Sequence, residues 1–343
     1  MTERDAELLW ALQQGLPLVS EPFKAVGERF GISAGEVLSR LHFFMESGQV
    51  RRFGAVFDAR RLGYRSALCA VDIPDGELVE KAGLICSHPG VTHGYERGWP
   101  NELNPDLPGG PNGRHWPNFW FTLATGHSDF DRELETLRRN SAPYDLLVLP
   151  AIKRFKIDVT FDSRTRARDE RVPVPPSPHV AAKDATMLEF TPPEKALVRA
   201  LEGSLPLTER PYEAVALGLG LSEEELLSKL TAWAAIGVLR RVALIVRHRN
   251  LGFTANGMCV WDVPEASMTE VGRRIAADPA VTHCYQRPRT DRFPFTLYAM
   301  IHTGEWEETR RLFVRLGDSA GLTPGQLLLS LREFKKTSMT YFA

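Results

Sequence analysis

Residues 91–97 read Val91-Thr92-His93-Gly94-Tyr95-Glu96-Arg97, and residues 281–287 read Val281-Thr282-His283-Cys284-Tyr285-Gln286-Arg287. The likeness extends outward from these stretches. Leu16-Pro17-Leu18 recurs as Leu205-Pro206-Leu207, Arg51-Arg52 as Arg240-Arg241 and Leu62-Gly63 as Leu251-Gly252, each 189 positions on. Cys69 matches Cys259 after a slip of one residue, and Gly126 matches Gly304. The first half therefore carries 12 extra residues, within Gly98–Gly113, a stretch rich in Gly, Pro and Asn. That composition reads as a surface loop. The chain is a tandem repeat, and its fold must be that of one copy built twice.

Each copy has the same order of elements. Helical spacing over Arg4–Gln14 is followed by a second helix over Glu21–Phe30, with Pro22 in its first turn. Gly31 ends that helix, and Ser33 caps a third running to about Glu46. The alternating stretch Val50–Phe57 follows, which makes a winged helix-turn-helix pattern. The second copy repeats it over Pro192–Leu201, Pro211–Gly218, Ser222–Ile236 and Leu239–Val246. Ala67–Ile73 then alternates as a strand and Glu77–Ser87 is helical. Val91–Glu96 and Phe119–Thr125 are strands, Ser128–Asn140 a helix and Leu146–Ile157 a strand. The order β-α-β-β-α-β is ferredoxin-like. Its second copy spans Gly257–Val263, Met268–Ala277, Val281–Gln286, Phe295–His302, Trp306–Leu316 and a final strand within Leu327–Thr340, where Leu327–Lys335 also has helical spacing.

The expected organisation is α+β. It comprises a winged helix-turn-helix over 1–62, a ferredoxin-like domain over 63–162, a charged and proline-rich linker over 163–188, and the repeats over 189–251 and 252–343. The ferredoxin-like copies are expected to form an internal pseudo-dimer. At 343 residues the chain is too long for one ordinary core. Its 43% hydrophobic and 25% charged residues are those of a soluble globular protein. No apolar run is long enough for a membrane span. The charged N-terminal stretch lacks a signal-peptide core, so a cytoplasmic location is expected. Four cysteines without C-x-x-C spacing read as buried thiols in a reducing compartment, not a zinc site. A net charge of −1 supplies no general attraction to nucleic acid.

A winged helix-turn-helix followed by β-α-β-β-α-β resembles the Lrp/AsnC superfamily. Finer motifs resemble one branch of it, the siroheme decarboxylases. They are Gly48-Gln49-Val50-Arg51-Arg52-Phe53-Gly54-Ala55, His93-Gly94-Tyr95-Glu96-Arg97 and His115-Trp116-Pro117-Asn118-Phe119-Trp120-Phe121. The second half resembles the partner subunit of that family, so the whole chain looks like a natural fusion of two subunits. The resemblance implies removal of two acetate carboxyl groups of siroheme, on rings C and D, as CO2. No organic cofactor is implied, and the iron belongs to the substrate. The partner is thus siroheme, an iron tetrapyrrole, with neither nucleic acid nor membrane expected, and a further homodimer is left open.

On these motifs His93 and His115 are the catalytic candidates, because imidazole titrates near working pH and can supply a proton. Axial contact of either histidine with the substrate iron is the lesser option; no protein metal site is expected. Arg51, Arg52, Arg97 and Arg114 are candidates to bind the carboxylates through paired donors. Tyr95, Trp116 and Trp120, with Trp99, are candidates to flank the ring and exclude water. His115 aligns with Phe293, so the first half is expected to hold the working site, with Arg287 or Arg289 lent by the second. Plainer readings stand beside these. A strand histidine is most often structural, one of Trp120 and Phe121 is core by alternation, and His42, His88 and His127 read as surface or capping residues. The rival function is a DNA-binding regulator that senses a small molecule. Its second reading helix, however, opens with Glu223, Glu224 and Glu225, which repel phosphate.

Overall fold

The computed structural model describes residues 2–98, 116–157, 160–162, 187–322 and 325–343. The first module has helices α1 (Glu3–Gln14), α2 (Pro22–Phe30) and α3 (Ala34–Glu46) and strand β1 (Val50–Phe57). Thr2 and Ser33 cap α1 and α3 in reciprocal boxes with Asp5 and Glu36, which occupies backbone N–H groups that a helix start leaves open. Gly31 ends α2 at a φ of 63°, a left-handed conformation that glycine adopts without a Cβ clash. A second set begins after the linker with α6 (Pro192–Glu202), α7 (Pro211–Gly218), α8 (Glu223–Ala235) and β7 (Leu239–Val246).

The two wing strands come together across the halves. β1 pairs antiparallel with β7, one strand from each half, in a two-stranded sheet. Gly54 pairs with Ala243, and these are equivalent residues under the 189-residue shift. Val50 pairs with Val246 and Phe57 with Leu239, which exchange under the same shift. A pseudo-twofold axis therefore passes through the Gly54–Ala243 pair. The helices of both halves pack into one core around this ribbon, with Leu9, Phe23, Phe44 and Phe53 meeting Leu201, Tyr212, Leu230 and Trp233.

In the second module β2 (Tyr64–Val71), α4 (Asp75–Ser87), β3 (Val91–Gly98), β4 (Phe119–Gly126), α5 (Phe130–Ser141), β5 (Leu147–Pro150) and β6 (Lys153–Ile157) follow in order. Its copy is β8 (Ala255–Trp261), α9 (Glu265–Ala277), β9 (Val281–Gln286), β10 (Leu297–Thr303), α10 (Trp306–Ala320) and β11 (Gly325–Lys336). The last segment is a strand throughout, which settles the helix-or-strand ambiguity over 327–335. The sheet order is β5-β2-β4-β3-β11-β8-β10-β9-β6. Each half closes its own sheet with its last strand and then crosses to the other. β5 lies on β2 while β6 lies on β9, and β11 runs from β8 onto β3. The expected internal pseudo-dimer is thus a continuous hydrogen-bonded sheet.

Because successive strand residues face opposite sides, each sheet has two burial environments. Outward, Cys69, Phe119 and Phe121 pack beneath α4 and α5, and Cys259, Cys284 and Leu297 beneath α9 and α10. Inward, Trp120, Leu149, Met258, Phe293 and Tyr298 from both halves form the inter-sheet core. All four cysteines are free and buried. No helix among the described residues is long and apolar enough to cross a membrane.

Candidate active site

A Cβ added to Gly94 would lie 2.5 Å from Cys86 Sγ on α4. Gly94 therefore faces the helix layer, and its neighbours His93 and Tyr95, with Arg97, occupy the inner face. The His93 and Tyr95 ring centroids are 6.4 Å apart, and Arg97 Cζ lies 5.3 Å from the Tyr95 ring. On β9 the same triad recurs: His283 and Tyr285 at 6.2 Å, Arg287 Cζ at 4.9 Å. The two triads lie on strands related by the pseudo-twofold axis, so the molecule carries the same side-chain cluster twice, and each is a candidate ligand pocket.

Different side chains furnish them. β11 sets Lys336 opposite His93 and Glu333 opposite Tyr95. β6 sets Ile157 opposite His283 and Arg154 opposite Tyr285. Around the first triad stand Arg51 from β1, Lys336, and Arg247 and Arg249, which follow β7. Burial first, then the charges of Lys336, Arg51, His283 and Arg97, push His93 down to about 4. Arg247 acts on Arg51, and Arg249 on Lys336 and Tyr95. Glu333 is the one carboxylate felt by Arg51 and Lys336. None of Arg51, Arg97, Arg247, Arg249 and Lys336 is in an ion pair among the described residues. Arg97 is 6% exposed, with its Nε buried and unpartnered. Arg51 and Lys336 are half-buried, and Arg247 and Arg249 are exposed. A buried cation such as Arg97 without a counter-ion is costly, and the set suits a ligand that brings several carboxylates.

The second pocket carries its own counter-ion. Asp58 accepts from Arg240 at 2.8 Å and from Arg154 at 3.3 Å. Burial opposes ionisation of Asp58, but Arg240, Arg154 and Arg60 outweigh it and hold the carboxyl down to about 2.

Two family models match both halves. The AsnC-like ligand binding domain covers 61–156 and 250–335. The siroheme decarboxylase NirDL-like HTH domain covers 5–51 and 194–240. A siroheme decarboxylase of Hydrogenobacter thermophilus is 37% identical over 98% of this chain and 94% of its own. The chain belongs to the siroheme decarboxylase family. A siroheme decarboxylase NirL subunit of Stutzerimonas stutzeri is 44% identical over 41% of this chain and 84% of its own length, so a separate subunit matches part of what is joined here. Among solved structures, siroheme decarboxylase NirDL in complex with an iron-uroporphyrin III analogue superimposes with a TM-score of 0.71 at 34% identity, covering 99% of this chain and 95% of that one.

The residues that the siroheme decarboxylase motifs single out do not all meet at one place. His93, Tyr95, Arg97 and Arg51 converge on the first pocket, where Arg51 also donates to the Ser338 hydroxyl. His115 and Arg114, like Trp99, lie outside the described residues. Arg52 must be corrected. Its Nη1 donates to the Glu202 carbonyl at 2.7 Å and the Ala55 carbonyl at 3.3 Å, so it ties β1 to the end of α6, away from the pocket. The register of β1 on β7 breaks between Val50 and Arg52, and the two arginines go to different partners, Arg51 to the Ser338 hydroxyl and Arg52 to the Glu202 carbonyl. Trp120 also needs correction. It is 1% exposed, donates to the Pro117 carbonyl at 2.7 Å and meets Phe293 edge-on, as inter-sheet core. Trp116 packs across the halves on Phe293 and Phe295, at 5.5 and 5.6 Å between centroids. Arg287 belongs to the second pocket, where it donates to the Leu149 carbonyl. His88 caps α4 as the plainer reading has it, but it is buried and pairs with Glu133 at 2.8 Å.

Sequence reasoning missed Lys336, Arg247, His248 and Arg249. Lys336 Nζ lies 3.2 Å from His248 Nδ1, and the His248 ring is 5.0 Å from that of His302. His302 in turn meets the Thr282 hydroxyl at 3.3 Å, which also contacts His283. A signal for part of this was available: the 189-residue shift sets Arg247-His248-Arg249 against Asp58-Ala59-Arg60.

Proposed function

We propose that the chain is a carboxy-lyase that removes two acetate carboxyl groups, on rings C and D, from siroheme. The observation that carries this reading is the first pocket. Lys336, Arg51 and Arg97, none of them in an ion pair among the described residues, act on the half-buried His93 imidazole, and the exposed Arg247 and Arg249 lie beyond them. A ring bearing acetate and propionate arms brings the missing counter-charges, and paired guanidinium donors fix their positions.

Loss of CO2 leaves the C–C bonding pair on the methylene carbon. That carbon takes up one proton and becomes a methyl group, so each siroheme consumes two protons. His93 is the proposed donor for one arm. Its Nδ1 lies 3.0 Å from the Thr92 hydroxyl, which fixes the ring and leaves Nε2 for the substrate. Held down to about 4, His93 is neutral at physiological pH. Substrate carboxylates counter the field of Lys336, Arg51 and Arg97 and pull a proton onto the imidazole. The acid thus forms only when a substrate is present to use it. His115 is the second proposed donor, on the strength of the motif that leads into β4. Axial contact of a histidine with the iron is the alternative role. The reaction needs no cofactor beyond the iron that siroheme carries.

The regulator reading is not favoured. Glu223, Glu224 and Glu225 fill the first turn of α8, where carboxylates repel phosphate. Anaerobic incubation with siroheme, followed by mass analysis, tests the proposal: a product lighter by two CO2 is expected. An unchanged pigment together with tight, salt-sensitive, sequence-selective DNA binding would overturn it.

A further inference from the structure

Asp58 follows the last residue of β1, and Arg247 follows the last residue of β7. The β1–β7 register makes them equivalents about the pseudo-twofold axis. They carry opposite charge. In the second pocket the Asp58 carboxylate, in a residue 6% exposed, gathers Arg240 at 2.8 Å, Arg154 at 3.3 Å and Arg60 at 3.7 Å. Arg240 is the equivalent of Arg51. The guanidinium that is in no ion pair among the described residues at the first pocket is thus neutralised from within in the second. The rest of the second pocket keeps the features of a carboxylate site. His283, Tyr285 and Arg287 hold the same spacing as their counterparts, and Arg287 Nε is buried without a partner.

We infer that the second pocket is a latent polycarboxylate site which Asp58 keeps closed, its side chain occupying the place that a ligand carboxylate takes in the first. The inference rests on the reading of the first pocket as the siroheme site. An incoming carboxylate must displace Asp58 and leave it buried and unpaired, the least favourable state for a charge. Asp58 therefore sets how many tetrapyrroles one chain holds, and at which pocket. The Arg154–Asp58–Arg240 cluster also ties β6 to β1 and β7 of the ribbon, so closing the second pocket and joining the two modules are tasks of the same residue.

The test is a titration with iron-uroporphyrin III, read by absorbance and by native mass spectrometry of the full chain. The wild-type protein should bind one equivalent. Asp58→Asn removes the internal counter-ion, keeps the volume, and should bind two. The second equivalent should be roughly tenfold or more weaker, because Ile157 stands where the first pocket has Lys336. Adding Arg240→Gln to Asp58→Asn should abolish that second equivalent. A folded Asp58→Asn protein that still binds one equivalent overturns the inference, and so does a wild-type chain that binds two. A wild-type chain that binds none overturns the reading of the first pocket instead. Should Asp58→Asn fail to fold, Arg240→Gln alone decides in the wild-type background, where Asp58 still pairs with Arg154. One equivalent at a dissociation constant within about twofold of wild type supports closure, whereas a loss of binding shows that the second pocket takes ligand and refutes it.

Discussion

Binding of a carboxylate-bearing ring should draw a proton onto His93. In the free protein His93 sits at about 4, with burial the first cause and Lys336, Arg51, His283 and Arg97 the next. Burial persists in the complex. A carboxylate brought close to an imidazole raises it by about 1–3 units, which places the bound-state value near 6. At pH 6 the protonated fraction then rises from about 1% to about half, so the complex takes up about half a proton through this residue. Calorimetric titration with iron-uroporphyrin III in buffers of differing ionisation enthalpy measures the total. The ligand's own carboxylates and the other histidines contribute to that total, so the informative quantity is the wild-type value minus that of His93→Gln. The difference should approach zero at pH 8, where the imidazole is neutral in both states. No difference at pH 6, or proton release through His93, would show that this imidazole is not coupled to substrate charge and would remove it as the substrate-gated acid.

Acid should destabilise the free protein well before its carboxylates titrate. His93 and His283 lie at about 4 and His248 at about 3, all below the ordinary value of an unfolded histidine. The unfolded chain therefore binds more protons between those values. Stability is full above about pH 6.5 and is lost as pH falls through the folded-state values. Lowering pH from 7 to 5 costs up to about 5 kcal/mol over the three residues, and urea midpoints that stay level across this range would contradict it. Arg51→Ala should raise the substrate KM roughly 10–100-fold through loss of a charge-assisted contact. Arg52→Ala should leave KM near wild type and instead cost about 1–3 kcal/mol in urea unfolding, because the Glu202 and Ala55 carbonyls lose their donor. Equal KM effects from the two would place both arginines in the pocket. Trp120→Ala should cost about 3–5 kcal/mol as a core truncation, whereas a milder loss of stability with a large loss of binding would return Trp120 to the substrate.

Local structure was the most legible part of this sequence. β1, β7, β9 and α7 fall on the residues that alternation and helical spacing assign, and Ser33 and Ser222 cap the helices they precede. What could not be read was which strand lies beside which. β1 has the same alternation whether it pairs in a wing of its own half or with β7 far along the chain. β11 was ambiguous for a related reason. Its residues Gly325–Ser330 are buried without alternation and its C-terminal part is open, because it lies first beside β8, with Leu327 and Leu329 under the helices and Leu328 in the inter-sheet core, and then crosses to β3. A strand buried on both faces carries no period of two to detect.

The candidate site divides along the same line. The His-x-Tyr-x-Arg triad was legible because its three members alternate onto one face of a single strand. Arg51 and Arg52 are adjacent and chemically alike, and only their partners, the Ser338 hydroxyl for one and the Glu202 carbonyl for the other, separate a pocket cation from a helix tie. Lys336 and Arg247 come from the other half of the chain, so no spacing within the first half could reveal them. Duplication followed by divergence explains why they matter. Two copies related by a twofold axis must start with two equivalent pockets, and once the copies are fused a change in one of them alters only the pocket that its residue lines. β11 delivers Lys336 and Glu333 to the first pocket, where β6 delivers Ile157 and Arg154 to the second. Arg247 stands at the first where Asp58 stands at the second. Because each pocket is built from strands of both halves, charge differences between the copies sort into one cation-rich pocket and one internally neutralised pocket. A fused chain preserves that sorting, since its two halves can never pair as like with like.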